Sequence, residues 1–225
     1  MSLKVPTWLR SSEWRDAIFD FRFLLNRGYK RKSALDFVTS RYRLSKEARN
    51  VLFRSIYPRN ICVMRSRKRR DEADVLWVDG FNVLITVESI LNDETLILCD
   101  DGVIRDFRGV FGKYRWNERS EEAVKLIGEK IKEISENAII LLDSQVSRSR
   151  ELAGELERMT GIETRVSRSV DRELKQMEFV ATSDGTIIDA VRGFIDIPRM
   201  IIEERGGEVY STSIANFLTV GKERH

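Results

Sequence analysis

Three short apolar runs in this chain end on an aspartate: "LWVD" at 76–79, "ILLD" at 140–143 and "VATSD" at 180–184. An unpartnered carboxylate is costly to bury, so a core strand that stops on Asp must deliver it to an edge of the fold. Candidate strands at 75–79, 138–143, 163–167, 178–184 and 208–212 alternate with amphipathic stretches at 119–136, 146–160, 170–176 and 197–206. Short apolar strands separated by helices predict an α/β fold, a three-layer Rossmann-like parallel sheet covered on both faces. In such a sheet the carboxyl ends of the strands share one edge and form the crevice where ligands bind. The pattern therefore predicts that Asp79, Asp143 and Asp184 share a crevice. Asp171, which opens a short helix after the third strand, faces the same edge, with Asn82 and Asp189 close enough to support it.

A single strand-end aspartate is commonly only a turn residue. Three in three core strands, with a fourth at a helix start, make a stronger case for a site. Such carboxylates repel one another, and a divalent cation with a taste for oxygen, Mg²⁺ or Mn²⁺, offsets the repulsion. Asp100, Asp101 and Asp106 stand apart, because "TLILCDDGVIRDF" reads as a hairpin turning at Asp100, Asp101 and Gly102.

The rest of the composition narrows the chemistry. His225 is the one histidine, and Cys62 and Cys99 are the two cysteines, in 225 residues. Serine–histidine and cysteine–histidine catalysis and histidine-ligated zinc are thereby excluded, and a disulfide framework is not expected. No apolar run approaches the roughly 18 residues of a membrane span, and "MSLKVPTWLR" has no apolar signal core. The expectation is a cytoplasmic protein with no membrane partner.

The formal net charge of +3 hides a division. Residues 1–70 hold 19 Lys and Arg against 5 Asp and Glu, a net of +14, and the remaining residues hold 20 against 31, a net of −11. A basic head on an acidic body predicts an anionic partner met first by the head, and the excess of arginine over lysine there suits phosphate. The domains expected are a basic helical head at 1–63, a linker at 64–73 and an α/β domain at 74–225 with an insertion at about 93–118. In the head, Trp14, Ile18, Phe21, Leu24 and Leu25 recur at helical spacing between serine caps and Gly28. A three-helix bundle and a helix-turn-helix both remain open. The basic run supplies Arg65, Arg67, Lys68, Arg69 and Arg70 as nucleic-acid contacts, and the insertion adds Arg108, Lys113, Arg115 and Trp116. Aromatic rings interleaved with cations are how single strands are held, although a half-buried hairpin with solvated arginines reads the same way.

Residues 74–218 resemble the NYN branch of the PIN-like nucleases. "VDGFNVL" resembles that family's opening motif, "IILLDS" its second strand, "SVDREL" its acidic helix start and "FVATSDGTII" its final strand end. Val170 and Lys175 differ from the family's alanine and glutamate. The resemblance implies a Mg²⁺- or Mn²⁺-dependent endoribonuclease in which Asp79, Asp143, Asp171 and Asp184 are the catalytic and metal-binding acids and Asn82 is the motif asparagine. The alternative it leaves open is a non-catalytic RNA-binding or assembly protein, monomeric or homodimeric. With its helical head, the whole chain resembles an uncharacterised prokaryotic family. "SDGTI" also resembles the loop of haloacid-dehalogenase-like phosphatases, but Thr182 occupies the place of their nucleophilic aspartate.

Overall fold

In the computed structural model, which describes residues 5–106 and 114–221, four helices come first: α1 (Ser12–Asn26), α2 (Arg31–Arg41), α3 (Lys46–Ser55) and α4 (Arg59–Lys68). The body follows as β1 (Val75–Asp79), α5 (Gly80–Leu91), β2 (Leu96–Leu98), β3 (Ile104–Asp106), α6 (Glu118–Ile134), β4 (Asn137–Asp143) and α7 (Ser149–Thr160). It continues as β5 (Glu163–Ser167), α8 (Val170–Leu174), β6 (Phe179–Ala181), α9 (Gly185–Ala190), β7 (Gly193–Ile195), α10 (Ile197–Arg205), β8 (Gly207–Ser211) and β9 (Asn216–Val220).

Five strands form a parallel sheet in the order β5-β4-β1-β6-β7. Alternation along each strand sends successive side chains to opposite faces. Leu76, Val78, Ile140, Leu142, Ala181 and Ile195 pack against α5, α6, α7 and α10. Trp77, Ile139, Leu141, Val180 and Phe194 pack against α8 and α9. The sheet is thus covered on both faces, as its unbroken apolar strands require.

A second sheet was not foreseen. The expected hairpin forms, with β2 and β3 antiparallel, but β2 also pairs in parallel with β8, which pairs with β9. The strand expected at 208–212 therefore belongs to this second sheet, and the fifth strand of the main sheet is β7, too short to register as an apolar run. One face of the second sheet presents Leu96, Ile104 and Val209 to Ile90 of α5 and Ile202 of α10. The other presents Ile97, Cys99 and Tyr210 to the helical head, where Trp14, Phe21, Val38 and Leu52 join the same buried cluster. Buried Asp196 ties the sheets together by accepting from the Ile104 and Arg199 backbone N–H groups at 2.9 and 3.1 Å. Burial pushes its carboxyl up to about 6.

The head is accordingly a layer of one continuous structure. Trp14 Nε1 donates to Tyr210 Oη at 3.0 Å, and Arg22 grips Asp100 with two hydrogen bonds of 2.8 Å. The expected linker at 64–73 needs correction: residues up to Lys68 complete α4, and Arg69 then bridges to Phe194 at the β7 edge. A run of charges reads as a linker, but the side chains of Arg65 and Lys68 have partners in the body. Neither cysteine is disulfide-bonded, and burial raises the Cys62 and Cys99 thiols to about 11 and about 12.

Candidate functional site

The site is set by register. Asp79 ends β1, the central strand, level with Leu141, two residues short of Asp143 on β4. On the other side Val78 is level with Ala181, so Thr182 lies beside Asp79. Side-chain parity puts Asp79 and Thr182 on the α8–α9 face. The starts of both helices lie there, and they carry Asp171 in the first turn of α8 and Asp184 as the N-cap of α9. All four predicted acids therefore stand at the carboxyl edge of one parallel sheet.

Local chemistry explains how the chain turns there. α5 begins directly after Asp79 and lies against β4. A Cβ at Gly80 would sit 2.5 Å from Leu142 Cδ2 and 2.9 Å from the Leu141 carbonyl, so only glycine lets the strand turn into the helix at this distance. That turn puts Asn82 in the first turn of α5, where its Oδ1 accepts from the Ser183 N–H at 2.8 Å. Thr182 Oγ1 donates to Asp79 Oδ2 at 2.8 Å and accepts from the Asp184 N–H at 3.1 Å. Asp184 Oδ1 accepts from the Thr186 and Ile187 N–H groups at 2.6 and 3.3 Å, capping α9.

Asp79 is the electrostatic centre. Its side chain keeps a narrow opening to solvent, yet protein surrounds it closely. Desolvation first, and then the charges of Asp184 and Asp171, raise its carboxyl from 3.8 to about 7 against the hydrogen bonds from Thr182 and the Asn82 backbone. Among the described residues none of the four acids is ion-paired with Lys or Arg. Asp143 is more remote: its Oδ1 accepts from the Gln145 N–H at 2.8 Å, and Asp184 and Asp171, rather than Asp143, are the charges acting on Asp79.

Other predicted residues serve elsewhere. Asp189 does not reach the crevice. Arg65 takes its carboxylate with two hydrogen bonds of 2.8 Å. Arg65 is itself 4% exposed and also reaches Asp101 at 2.7 Å, so it is withdrawn as a nucleic-acid contact. Lys68 Nζ donates to the Ile188 and Asp189 carbonyls and so closes the end of α9. Arg69 and Arg70 cover the exposed edge of β7, with the Arg70 N–H donating to the Phe194 carbonyl at 2.9 Å. Their side chains, that of Arg67, and Arg115 and Trp116 before α6 are exposed. Arg108 and Lys113 lie outside the described residues.

The sequence reading missed how two arginines shape the site. Arg105, buried on β3, donates from Nε to the Ser183 carbonyl at 2.9 Å and forks onto Asp101 with two bonds of 2.8 Å. Arg65 Nη2 donates to the Gly185 carbonyl at 3.1 Å. Buried guanidinium groups thus hold the peptide on both sides of Asp184. Tyr57 lies beneath them, its ring centroid 4.3 Å from Arg65 and 5.4 Å from Arg105. Nothing local in "IRD" announces this role; it exists only because α4, the hairpin and β6 meet. The charge asymmetry is also partly explained, since Arg22, Arg54 and Arg65 of the head pair with Asp100, Asp106, Asp101 and Asp189 of the body.

The donor set fits a hard divalent cation in kind: carboxylate oxygens on a strand end and a helix start, one of them short of compensating charge. No three Asp, Glu, His or Cys side chains among the described residues close into a cage. Mg²⁺ is commonly held by one or two carboxylates plus water and substrate phosphate. Asp79 and Asp184 are the two acids that could supply them.

Residues 70–200 match the model of the domain of unknown function DUF5616, and residues 14–68 match that of DUF434, a protein family of unknown function. The boundary between the two falls at the end of α4. An uncharacterized protein of Methanocaldococcus jannaschii, MJ0935, is 40% identical over 195 residues, which is 82% of this chain and 94% of that protein. No solved structure matches.

Proposed function

The chain belongs to the DUF5616 family, and we propose that it is a Mg²⁺- or Mn²⁺-dependent endoribonuclease that hydrolyses phosphodiester bonds at the Asp79–Asp184 crevice. The observation that carries this reading is Asp79 itself. It ends the central strand with its carboxyl raised to about 7 by burial and by Asp184 and Asp171, with no cationic side chain paired to it. A bound cation would offset that charge, lower the pKa of an attacking water and neutralise the scissile phosphate.

The chain's own residues have the remaining tasks. Asp79 and Asp184 would hold the cation, and Asp171 adds negative potential at the mouth. Asn82 and Thr182 fix the loop that carries Asp184, through the Ser183 N–H and the Asp184 N–H. Asp143 flanks the crevice two residues farther along the neighbouring strand, within reach of water rather than of Asp79. The predicted PIN-like identity of the sheet and the choice of RNA over other phosphodiesters are part of the same proposal.

One observation favours a second reading. The absence of a three-acid group among the described residues suits a non-catalytic RNA-binding protein. Labelled single-stranded RNA incubated with the full chain, with and without Mn²⁺, tests the two. Mn²⁺-dependent cleavage that Asp184→Asn lowers by orders of magnitude supports the enzyme. Binding without cleavage at any Mn²⁺ concentration supports the second reading.

A further inference from the structure

The surface where α1 turns into α2 combines features that a solvated helical corner does not need. Phe23, Tyr29 and Phe53 are 49%, 59% and 43% exposed, and large rings left in water at neighbouring positions mark interaction surfaces. Cations stand among them. The Arg27 guanidinium lies 5.2 Å from the Phe23 ring centroid. Arg31 lies 4.7 Å from the Phe53 centroid and 4.5 Å from that of Tyr57, and it donates to the Phe53 carbonyl. Lys30 and Lys32 flank it.

Their placement is unfavourable for the isolated protein. The first turn of α2 has no acidic residue and no side-chain cap, although the positive end of a helix favours acids. Among the described residues Arg27, Lys30, Arg31 and Lys32 have no acidic ion-pair partner. In contrast, Arg22, Arg54 and Arg65 of the same head are committed to the body. Four cations without an acidic partner therefore stand beside the exposed rings of this corner.

We propose that the α1–α2 corner, formed by Phe23, Arg27, Tyr29, Lys30, Lys32 and Phe53, is the contact surface for single-stranded RNA. This rests on the reading of RNA as the polymer acted on, and it moves the principal contact away from the basic run at 65–70. The rings and the Arg27 guanidinium offer faces on which unpaired bases stack, and the lysines meet the phosphates. A second copy of the chain is a poor occupant, because a two-fold interface would set the same cations against one another. An anionic lipid surface is a poorer match, because the rings are separated by cations and form no continuous apolar face.

The test is fluorescence anisotropy with a labelled single-stranded RNA of about 12 nucleotides in EDTA, using the full chain. Phe23→Ala with Tyr29→Ala should weaken binding by roughly ten-fold or more, at the usual worth of base–aromatic stacking, and leave the salt slope unchanged. Lys30→Gln with Lys32→Gln should make the slope shallower by about 0.7 for each phosphate that is no longer neutralised. Both pairs are exposed, so melting temperatures should stay at the wild-type value. Asp184→Asn should bind as the wild type does, which separates this surface from the crevice: a wild type that binds RNA and cleaves none at any Mn²⁺ concentration would overturn the nuclease, not the corner. Unchanged affinity in both double variants overturns the proposal. So does sedimentation showing a dimer that the aromatic variants dissolve, or wild-type binding to anionic vesicles in preference to RNA.

Discussion

Replacing Asp79 by asparagine keeps the size and shape of the side chain and removes one ionisable group from the crevice. In the folded protein that group titrates near 7, against an ordinary 3.8. The folded state therefore holds a proton that the unfolded chain has released, and wild-type stability must fall as pH rises from about 4 to about 7 and level off above. At about 1.4 kcal/mol per decade the displacement amounts to about 4 kcal/mol in full. Roughly 3 kcal/mol of it should develop between about pH 5 and about pH 8. The Asp79→Asn variant has no such dependence. Its amide can still accept from Thr182 and from the Asn82 N–H, though more weakly than a carboxylate, at a pH-independent cost of about 1 kcal/mol. Asp196, raised to about 6, titrates in both proteins and cancels in the difference. Urea denaturation of both proteins in EDTA across this range is the assay. The variant should be near the wild type at about pH 5 and more stable by about 2 kcal/mol or more at about pH 8. Adding Mn²⁺ at the higher pH should raise the wild-type melting temperature and leave the variant's unmoved. A stability difference that is the same at both ends of the range would refute the reasoning, because Asp79 would then be an ordinary solvated turn residue.

Two further perturbations test the frame around it. Gly80→Ala places a methyl group 2.5 Å from Leu142 Cδ2 and should cost about 1–3 kcal/mol as overpacking, read by urea denaturation; a neutral effect would show that the β1–α5 turn is looser than described. Arg105→Met leaves the Ser183 carbonyl without its donor and Asp101 with Arg65 as its one cationic partner, which should cost about 3–5 kcal/mol. A loss under about 1 kcal/mol would mean that the guanidinium is not needed to hold the loop.

The amino-acid sequence alone determined the elements and the edge on which the acids lie. β1 and β4 are short apolar runs bounded by polar residues, and α6, α7 and α10 carry helical periodicity, so each is encoded within a few residues of chain. Because parallel strands share a direction, "VLWVD", "AIILLD" and "FVATSD" place Asp79, Asp143 and Asp184 on one edge without any knowledge of tertiary pairing. The turn of "VDG" into a helix was less legible: α5 and β7 were missed, the first because it follows a strand without a break and the second because three residues carry no pattern. Pairings across the chain were not legible at all. β2 meets β8 more than a hundred residues away, and nothing in either segment selects the other over any apolar strand. The same is true of charge. The basic head and acidic body were countable, but any arginine can pair with any aspartate, and only the meeting of α4, the β2–β3 hairpin and α9 decided that Arg65 would be buried between Asp101 and Asp189. Summed charge is insensitive to pairing. Tertiary structure therefore separated the head's cations that hold the fold together, Arg22, Arg54 and Arg65, from those, at the α1–α2 corner among others, that have no acidic partner among the described residues.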